Sequence, residues 1–445
     1  MDTAPAGALT RLSAAAERVP LVAIVGIALL ARLAVIAYLG NWQPWFGQQE
    51  WDYIARVIVQ HGFYGIDVNS DYGSSTLTVT SFIPPLYPFF LAAMNEVFGS
   101  QAWLAIRLVQ ALLSTASVWL ICDIAWRLFS RRDIAWLCGL MAALSPPLAG
   151  GVAEVDPVSF EVFLVLVYVY LTLPPRLMPA APRWRWPAAG AVLGLAALVR
   201  APILLLLPWL VVLLWANRPA GAPWLRTVAG PTLAAGLAAA AVISPWTIRN
   251  YVVQHAFVPI STNGGINFWI GDNPSAAGEY VWPPGAAPDL LQASANLSEP
   301  QRDAFFYQQG LTFVREQPAQ AMRLLGLKLL YFLWERPGIG ATYGGQPATG
   351  LGRTAYLLAN AVLLPLWLLG LALTARTWRP MMVIYGPILA ALAQNVIYFV
   401  ATRFRTPAVP FETLLAAVAI VWAAHAAEGV ARVLRPAMGR VRLRL

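Results

Sequence analysis

Two sets of residues in this chain have the types and spacing to do chemistry. The first is acidic. Glu50 and Asp52 stand one residue apart within the stretch 42–88, and Glu154 and Asp156 repeat that spacing further along. A carboxylate held within hydrogen-bond reach of a hydroxyl can take its proton as the oxygen attacks. The bland use of such acids is helix capping or pairing with a nearby Arg. For Glu154 and Asp156 the two uses weigh equally. Glu50 and Asp52 lie among Trp42, Trp45, Phe46, Trp51 and Tyr53. That density of aromatics suits a membrane–water interface and is foreign to a disordered linker. The second set is basic: Arg200, Arg249, Lys328, Arg403 and Arg405. Its sharpest contexts are PWTIRN at 245–250 and TRFRTP at 402–407. Arg grips phosphate with two parallel N–H donors. Snorkelling to headgroups explains one Arg at a helix end, Arg200 included, but explains the pair Arg403 and Arg405 less well. The segment NGGINFWIGDNP at 263–274 could turn backbone amides toward a ligand, although turn formation alone accounts for its glycines.

The elements that must position these groups follow from composition. Of 445 residues, 59% are hydrophobic and only 11% charged, against about a quarter charged in soluble domains. The chain is a polytopic, all-α membrane protein. Its net charge of +9 does not point to nucleic acid, because the Arg residues cluster beside apolar spans. His61, His255 and His425 are scattered, and Cys122 and Cys138 lie in apolar segments, so no zinc-type cluster is present. A span needs about 20 apolar residues. The candidates are 21–39, 103–129, 134–148, 158–173, 186–199, 201–215, 227–243, 355–373, 381–400 and 408–427. Arg11 and Arg18 precede the first, with no small-residue cleavage site, so it reads as an uncleaved helix with a cytoplasmic start. Placing the other Arg clusters inside gives ten spans with both ends cytoplasmic.

Between the spans lie four further helices. Residues 53–61 have helical spacing along the membrane. Residues 86–98 are too short to span and read as interfacial. Residues 298–317 form an amphipathic helix with Ser298 as N-cap. Residues 322–334 carry Arg323 and Lys328 and read as interfacial or re-entrant, with a full span as the alternative. The expected organisation is an N-terminal transmembrane module, 1–246, that includes a first outer loop at 41–101. A large outer loop at 247–354 and a C-terminal transmembrane module at 355–445 follow.

These passages together resemble membrane glycosyltransferases of the C fold class, which use polyprenyl-phosphate-linked sugars and include aminoarabinose transferases and protein O-mannosyltransferases. The resemblance is carried by the acidic first outer loop leading to Tyr53-Ile54-Ala55-Arg56 and His61-Gly62-Phe63, and by Pro84-Pro85-Leu86-Tyr87-Pro88. PWTIRNY with NGGINFWIGDNP, and Arg403-Phe404-Arg405 with Pro407 and Pro410, complete it. It covers most of the chain. It implies a periplasm-facing site in a bacterial inner membrane, a carboxylate base from the first outer loop, and Arg residues gripping the lipid phosphate. Aligning on Tyr53 puts Gln49 where an Asp is expected, followed by Glu50. The base is then Glu50 or Asp52, or the chain is not catalytic.

The expected activity is transfer of a hexose or pentose from a polyprenyl-phosphate donor to a hydroxyl of a lipid, glycan or protein. Arg249, Lys328, Arg403 and Arg405 would bind the donor phosphate. Glu154, Asp156, Arg200, Asn250 and Tyr87 are further candidates for substrate contact. Membrane lipids are the remaining partners. The reading requires no cofactor and leaves room for a divalent cation. A non-catalytic transporter or assembly factor for lipid-linked glycans is the alternative. A secondary transporter fits less well, for want of internal repeats and of charges within the spans.

Overall fold

The computed structural model describes residues 21–39, 49–67, 77–99, 102–281, 287–334, 342–343, 346–347 and 351–441. Arg11, Arg18, Trp42, Trp45, Phe46 and Asp71 lie outside the described residues.

The N-terminal half begins with α1 (Leu21–Leu39), α2 (Gln49–His61), a hairpin of β1 (Gly65–Asp67) and β2 (Leu77–Val79), and α3 (Leu86–Phe98). It continues with α4 (Ala102–Phe129), α5 (Arg132–Leu144), α6 (Pro146–Gly150), α7 (Val158–Thr172), α8 (Arg185–Val199), α9 (Leu206–Ala216) and α10 (Gly230–Gln254). The rest comprises α11 (Gly264–Gly271), α12 (Ala287–Ser294), α13 (Glu299–Glu316), α14 (Pro318–Leu333), α15 (Leu351–Thr374), α16 (Trp378–Ile397), α17 (Thr402–Arg405) and α18 (Val409–Val441). A two-residue hairpin, β3 (Thr342–Tyr343) with β4 (Gln346–Pro347), precedes α15.

All ten apolar stretches are helical. Among the described residues, five segments are long and apolar enough to cross a bilayer: Leu21–Tyr38, Ala102–Phe129, Leu225–Gln254, Leu357–Ile397 and Thr402–Ala427. The fourth holds two helices, α15 and α16, divided by a short 3-10 turn. The others are shorter. Ser145 ends α5 early, and the Arg200–Pro202 step starts α9 with a 3-10 turn. The N-terminal module boundary expected at 246 falls inside the continuous helix α10.

Small residues set the tightest crossings. A Cβ at Gly190 would sit 2.0 Å from the Ala235 carbonyl oxygen, and one at Gly194 would sit 2.9 Å from that of Ala239, so glycine lets α8 lie against α10. Gly370 does the same for α15 on α18. Lipid offers no hydrophobic gain for helix association, so close backbone approach and interhelical polar contacts must supply it. The spans do carry charges, contrary to the sequence reading, and these serve as such contacts. Arg32 of α1 is fully buried and donates to Ser114 Oγ (3.0 Å) and to the Ala143 carbonyl (2.6 Å), tying three helices together. Glu161 of α7 pairs with Arg200 at 2.8 Å, and Glu412 of α18 pairs with Arg405 at 2.8 Å.

The short helices pack over one end of this bundle. In α2 the apolar positions Trp51, Ile54, Ala55 and Val57 are buried, while Arg56 and Gln60 are exposed, the pattern of an amphipathic helix lying on a surface. It starts at Gln49, four residues before the expected start. α3 matches the expected interfacial helix at both ends. α13 begins after the expected N-cap, Ser298, which forms a capping box in which Ser298 N–H donates to Gln301 Oε1 at 3.1 Å.

Candidate active site

A cavity of about 310 Å³ opens where these short helices meet the span ends. Its wall takes Glu50 and Trp51 from α2, the turn 199–204 between α8 and α9, and the start of α11. α13 adds Asp303 and Tyr307, the end of α16 and the residue after it add Gln394 and Tyr398, and α17 adds Arg403 and Phe404.

Glu50 is in the first turn of α2, inside the helix rather than ahead of its cap. Its side chain lines the cavity and is solvent-accessible, with protein packed closely around it. Desolvation by that packing pushes its carboxyl up, and the nearby Arg403 partly opposes the shift. Arg403 lies 5.8 Å from the Trp51 ring centroid and 5.3 Å from that of Phe404, and it has no carboxylate in ion-pair contact among the described residues. Two aromatic faces thus hold a cation at the cavity without neutralising it.

Arg200 is the second cation. It follows the last turn of α8, in extended backbone, and stacks 4.7 Å over Phe404. Glu161 Oε2 lies 2.8 Å from its Nε, at an angle outside hydrogen-bond geometry. Its Nη2 is buried with no hydrogen-bond partner among the described residues. Arg200 is thus held by charge from below, and a cavity ligand could satisfy its remaining donors.

The other candidates are placed elsewhere, for identifiable reasons. Asp52 pairs with Arg56 at 2.9 Å, one helical turn on, and does not line the cavity. The capping role considered for it is not seen, because the helix starts earlier. Arg249 donates to the Thr80 carbonyl (2.6 Å), Ser81 Oγ (3.1 Å) and the Tyr64 carbonyl (3.1 Å), and stacks 4.6 Å over Trp246. It pins Tyr64, Thr80 and Ser81 to α10. Lys328 is buried and spent on Asp272 Oδ2 (2.9 Å) and the Val396 carbonyl (3.0 Å). Arg405 points away from the cavity into the bundle, where it meets Glu412 (2.8 Å) and Asn360 Oδ1 (3.2 Å). Of the four residues expected to bind phosphate, only Arg403 lines the cavity.

Asn250 is fully buried; its amide donates to the Val258 and Ile260 carbonyls, and its oxygen accepts from Ser81 Oγ. Tyr87 donates to Gln110 Oε1 at 2.7 Å and supports Trp51 edge-on at 6.4 Å. Asp156 caps α7 through Val158 N–H at 2.9 Å, and the Glu154 carbonyl accepts from Gln110. Among the described residues no group of three or more His, Cys, Asp or Glu is arranged to hold a metal ion.

Sequence reasoning missed the part of the lining built by α11 and α13. Asp303 Oδ1 accepts the Gly265 backbone N–H at 2.5 Å, and burial pushes this carboxyl up to about 6. A Cβ at Gly265 would sit 1.9 Å from the Asp303 carbonyl oxygen, so glycine is what lets α11 reach α13. Tyr307 is hydrogen bonded to Tyr398. The signal was present in NGGINFWIGDNP, whose glycines serve helix–helix approach rather than a phosphate cradle.

Residues 83–248 match the family described as dolichyl-phosphate-mannose-protein mannosyltransferase. No curated protein matches the chain. Among solved structures, the Archaeoglobus fulgidus oligosaccharyltransferase tethered with an acceptor peptide superposes with a TM-score of 0.53 at 14% identity. That match covers 90% of this chain and 49% of the oligosaccharyltransferase, so the chain spans about half its length. The same organism's AglB, in complex with an inhibitory peptide and a dolichol-phosphate, gives a TM-score of 0.53 at 14% identity over 89% of this chain and 50% of that one. ArnT from Cupriavidus metallidurans bound to undecaprenyl phosphate gives 0.43 at 17% identity, over 88% and 77%.

Proposed function

We propose that this integral membrane protein, whose fold is that of the C-class membrane glycosyltransferases, moves a sugar from a polyprenyl-phosphate donor to a hydroxyl acceptor. The observation that carries the reading is the cavity itself, in which one carboxylate of raised proton affinity, Glu50, shares the lining with two incompletely neutralised arginines, Arg200 and Arg403. The acceptor oxygen attacks the anomeric carbon, the bond from that carbon to the phosphate oxygen breaks, and the lipid phosphate leaves with the electron pair. Glu50 takes the acceptor proton. Arg200 and Arg403 stabilise the charge growing on the leaving phosphate, in a cavity where low dielectric strengthens the interaction.

The match over 83–248 to a family described by a dolichyl-phosphate-linked sugar supports the donor class, as does the dolichol-phosphate bound by a protein of this fold. Every segment lining the cavity belongs to the side that the Arg clusters make extracytoplasmic, which supports a periplasmic site in a bacterial inner membrane. The acceptor is a hydroxyl of a lipid, glycan or protein. No step in this scheme is routed through a metal.

The test is turnover. Purified protein is given undecaprenyl-phosphate-linked sugars with a membrane extract as the acceptor source, and release of undecaprenyl phosphate is followed. Release above that of a denatured control is expected for at least one sugar. If the lipids bind but none is turned over, the chain is a non-catalytic handler of lipid-linked glycans.

A further inference from the structure

The cavity has two chemically different walls. The charged wall holds Glu50, Arg200 and Arg403; the second wall, built by α11 and α13, holds Asp303, Asn263, Asn267 and Tyr307. We infer that this second wall is a subsite for the hydroxyls of one neutral sugar ring, the ring being transferred, with Asp303 as its main acceptor; this rests on the glycosyltransferase reading above.

The donors and acceptors left over on that wall are those a sugar needs. Asp303 Oδ1 is occupied by Gly265 N–H, whereas Oδ2 takes no hydrogen bond from the described residues and has two lone pairs for hydroxyl donors. The Asn263 side-chain oxygen accepts from Ser261 Oγ at 3.0 Å, leaving its amide N–H free. Asn267 Nδ2 donates to the Asn263 carbonyl at 2.8 Å, leaving its amide oxygen free. A carboxylate, an amide donor and an amide acceptor together match a ring whose hydroxyls both give and accept. Arg and Lys, which would select phosphate, are absent from this wall among the described residues.

The wall is also fixed in place. Glu299, one turn before Asp303 on α13, accepts from Ser81 N (2.8 Å), Gln254 Nε2 (3.1 Å) and Thr262 Oγ1 (3.3 Å), and from the Thr80 hydroxyl. α13 is therefore locked to residues 80–81, to the end of α10 and to Thr262 before any ligand arrives, which fixes the position of Asp303. The cavity, at about 310 Å³, is at the small end of the roughly 300–1,000 Å³ typical of ligand sites. It suits one ring with its phosphate rather than a branched glycan.

The experiment compares binding of bare undecaprenyl phosphate with that of undecaprenyl-phosphate-linked mannose, glucose and arabinose to the purified full-length protein. Wild type should bind at least one sugar-bearing lipid more tightly than the bare lipid. Asp303→Asn keeps an acceptor for Gly265 N–H, so it should fold. It should lose that increment by about tenfold and leave bare-lipid affinity unchanged. Asn267→Ala should lose part of it. Unchanged bare-lipid binding serves as the folding control, and Glu299→Gln should weaken the increment without touching the bare lipid. An increment that survives Asp303→Asn, or no increment for any of the three sugars, overturns the subsite and leaves the donor-phosphate reading standing. Failure of wild type to bind even the bare lipid overturns both.

Discussion

Arg403 and Arg405 are two residues apart and look equivalent in sequence, yet the structure gives them opposite roles. Arg403 faces the cavity between two aromatic rings, with no ion-paired carboxylate among the described residues. Removing it forfeits two cation–π contacts of about 0.5–1 kcal/mol each, so stability should fall only slightly. Its loss should be felt by the donor. A hydrogen bond to a charged group contributes about 1.5–3 kcal/mol, or roughly tenfold to a hundredfold in affinity, and because Arg200 remains, the lower end is expected. Arg403→Lys should rescue poorly, since an ammonium lacks the planar fork. Arg405 is the converse case. Its side chain and that of Glu412 are 2% and 0% exposed at 2.8 Å. Removing one member of a buried pair strands the other, at about 3–5 kcal/mol. Arg405→Ala should therefore lower the unfolding temperature markedly. Donor affinity of the fraction that remains folded should be near normal. Undecaprenyl phosphate binding and thermal unfolding, measured on the same detergent-solubilised samples, read both effects. Normal donor affinity in Arg403→Ala, or weak affinity with unaltered stability in Arg405→Ala, would refute the assignment.

Two further outcomes are expected. Cysteines placed at the exposed Gln60 and Gln308 should both react with an impermeant thiol reagent in intact spheroplasts, while one at the exposed Ala220 should not; native Cys122 and Cys138 are buried and silent. Labelling of only one of the first two, or of Ala220→Cys, would break the topology. Asp303 has a folded-state value of about 6, above the roughly 3.9 of an unfolded chain, so the folded state binds the extra proton between those values. The contribution of this group to stability is therefore lost as pH rises through about 6. The melting temperature of wild type relative to Asp303→Asn should be higher at pH 5 than at pH 7.5, and a flat difference would remove Asp303 from that window.

The sequence carried the helices further than the site. Span ends such as 21–39 and the interfacial 86–98 were legible because apolar runs and polar breaks are local signals. α2 was expected to begin at Tyr53, where helical spacing starts; it begins at Gln49, one turn earlier, and buries Trp51. The basic residues were harder. Arg249, Lys328 and Arg405 have the right type and the right side of the bundle, but their partners are 169, 56 and 7 residues away. A charge looks available in sequence until its distant partner is known. Arg200 was ranked low as a lone helix-end cation and proved to be one of the two arginines lining the cavity. Asp303 carried no local mark at all: it became a site residue only when glycine at 265 let α11 come up against it.

Glu50 as the base, beside Arg403 in the cavity, is the centre of the proposed mechanism. Its most direct test is the single-turnover rate of undecaprenyl phosphate release in Glu50→Gln, with donor affinity measured on the same preparation. Asp52→Asn, which breaks only the pair with Arg56, is the control. The account predicts a fall of about a hundredfold to ten-thousandfold for Glu50→Gln with donor binding retained, and a change within a few-fold for Asp52→Asn. Turnover near wild type in Glu50→Gln, with Asp52→Asn inactive and still binding donor, would contradict it.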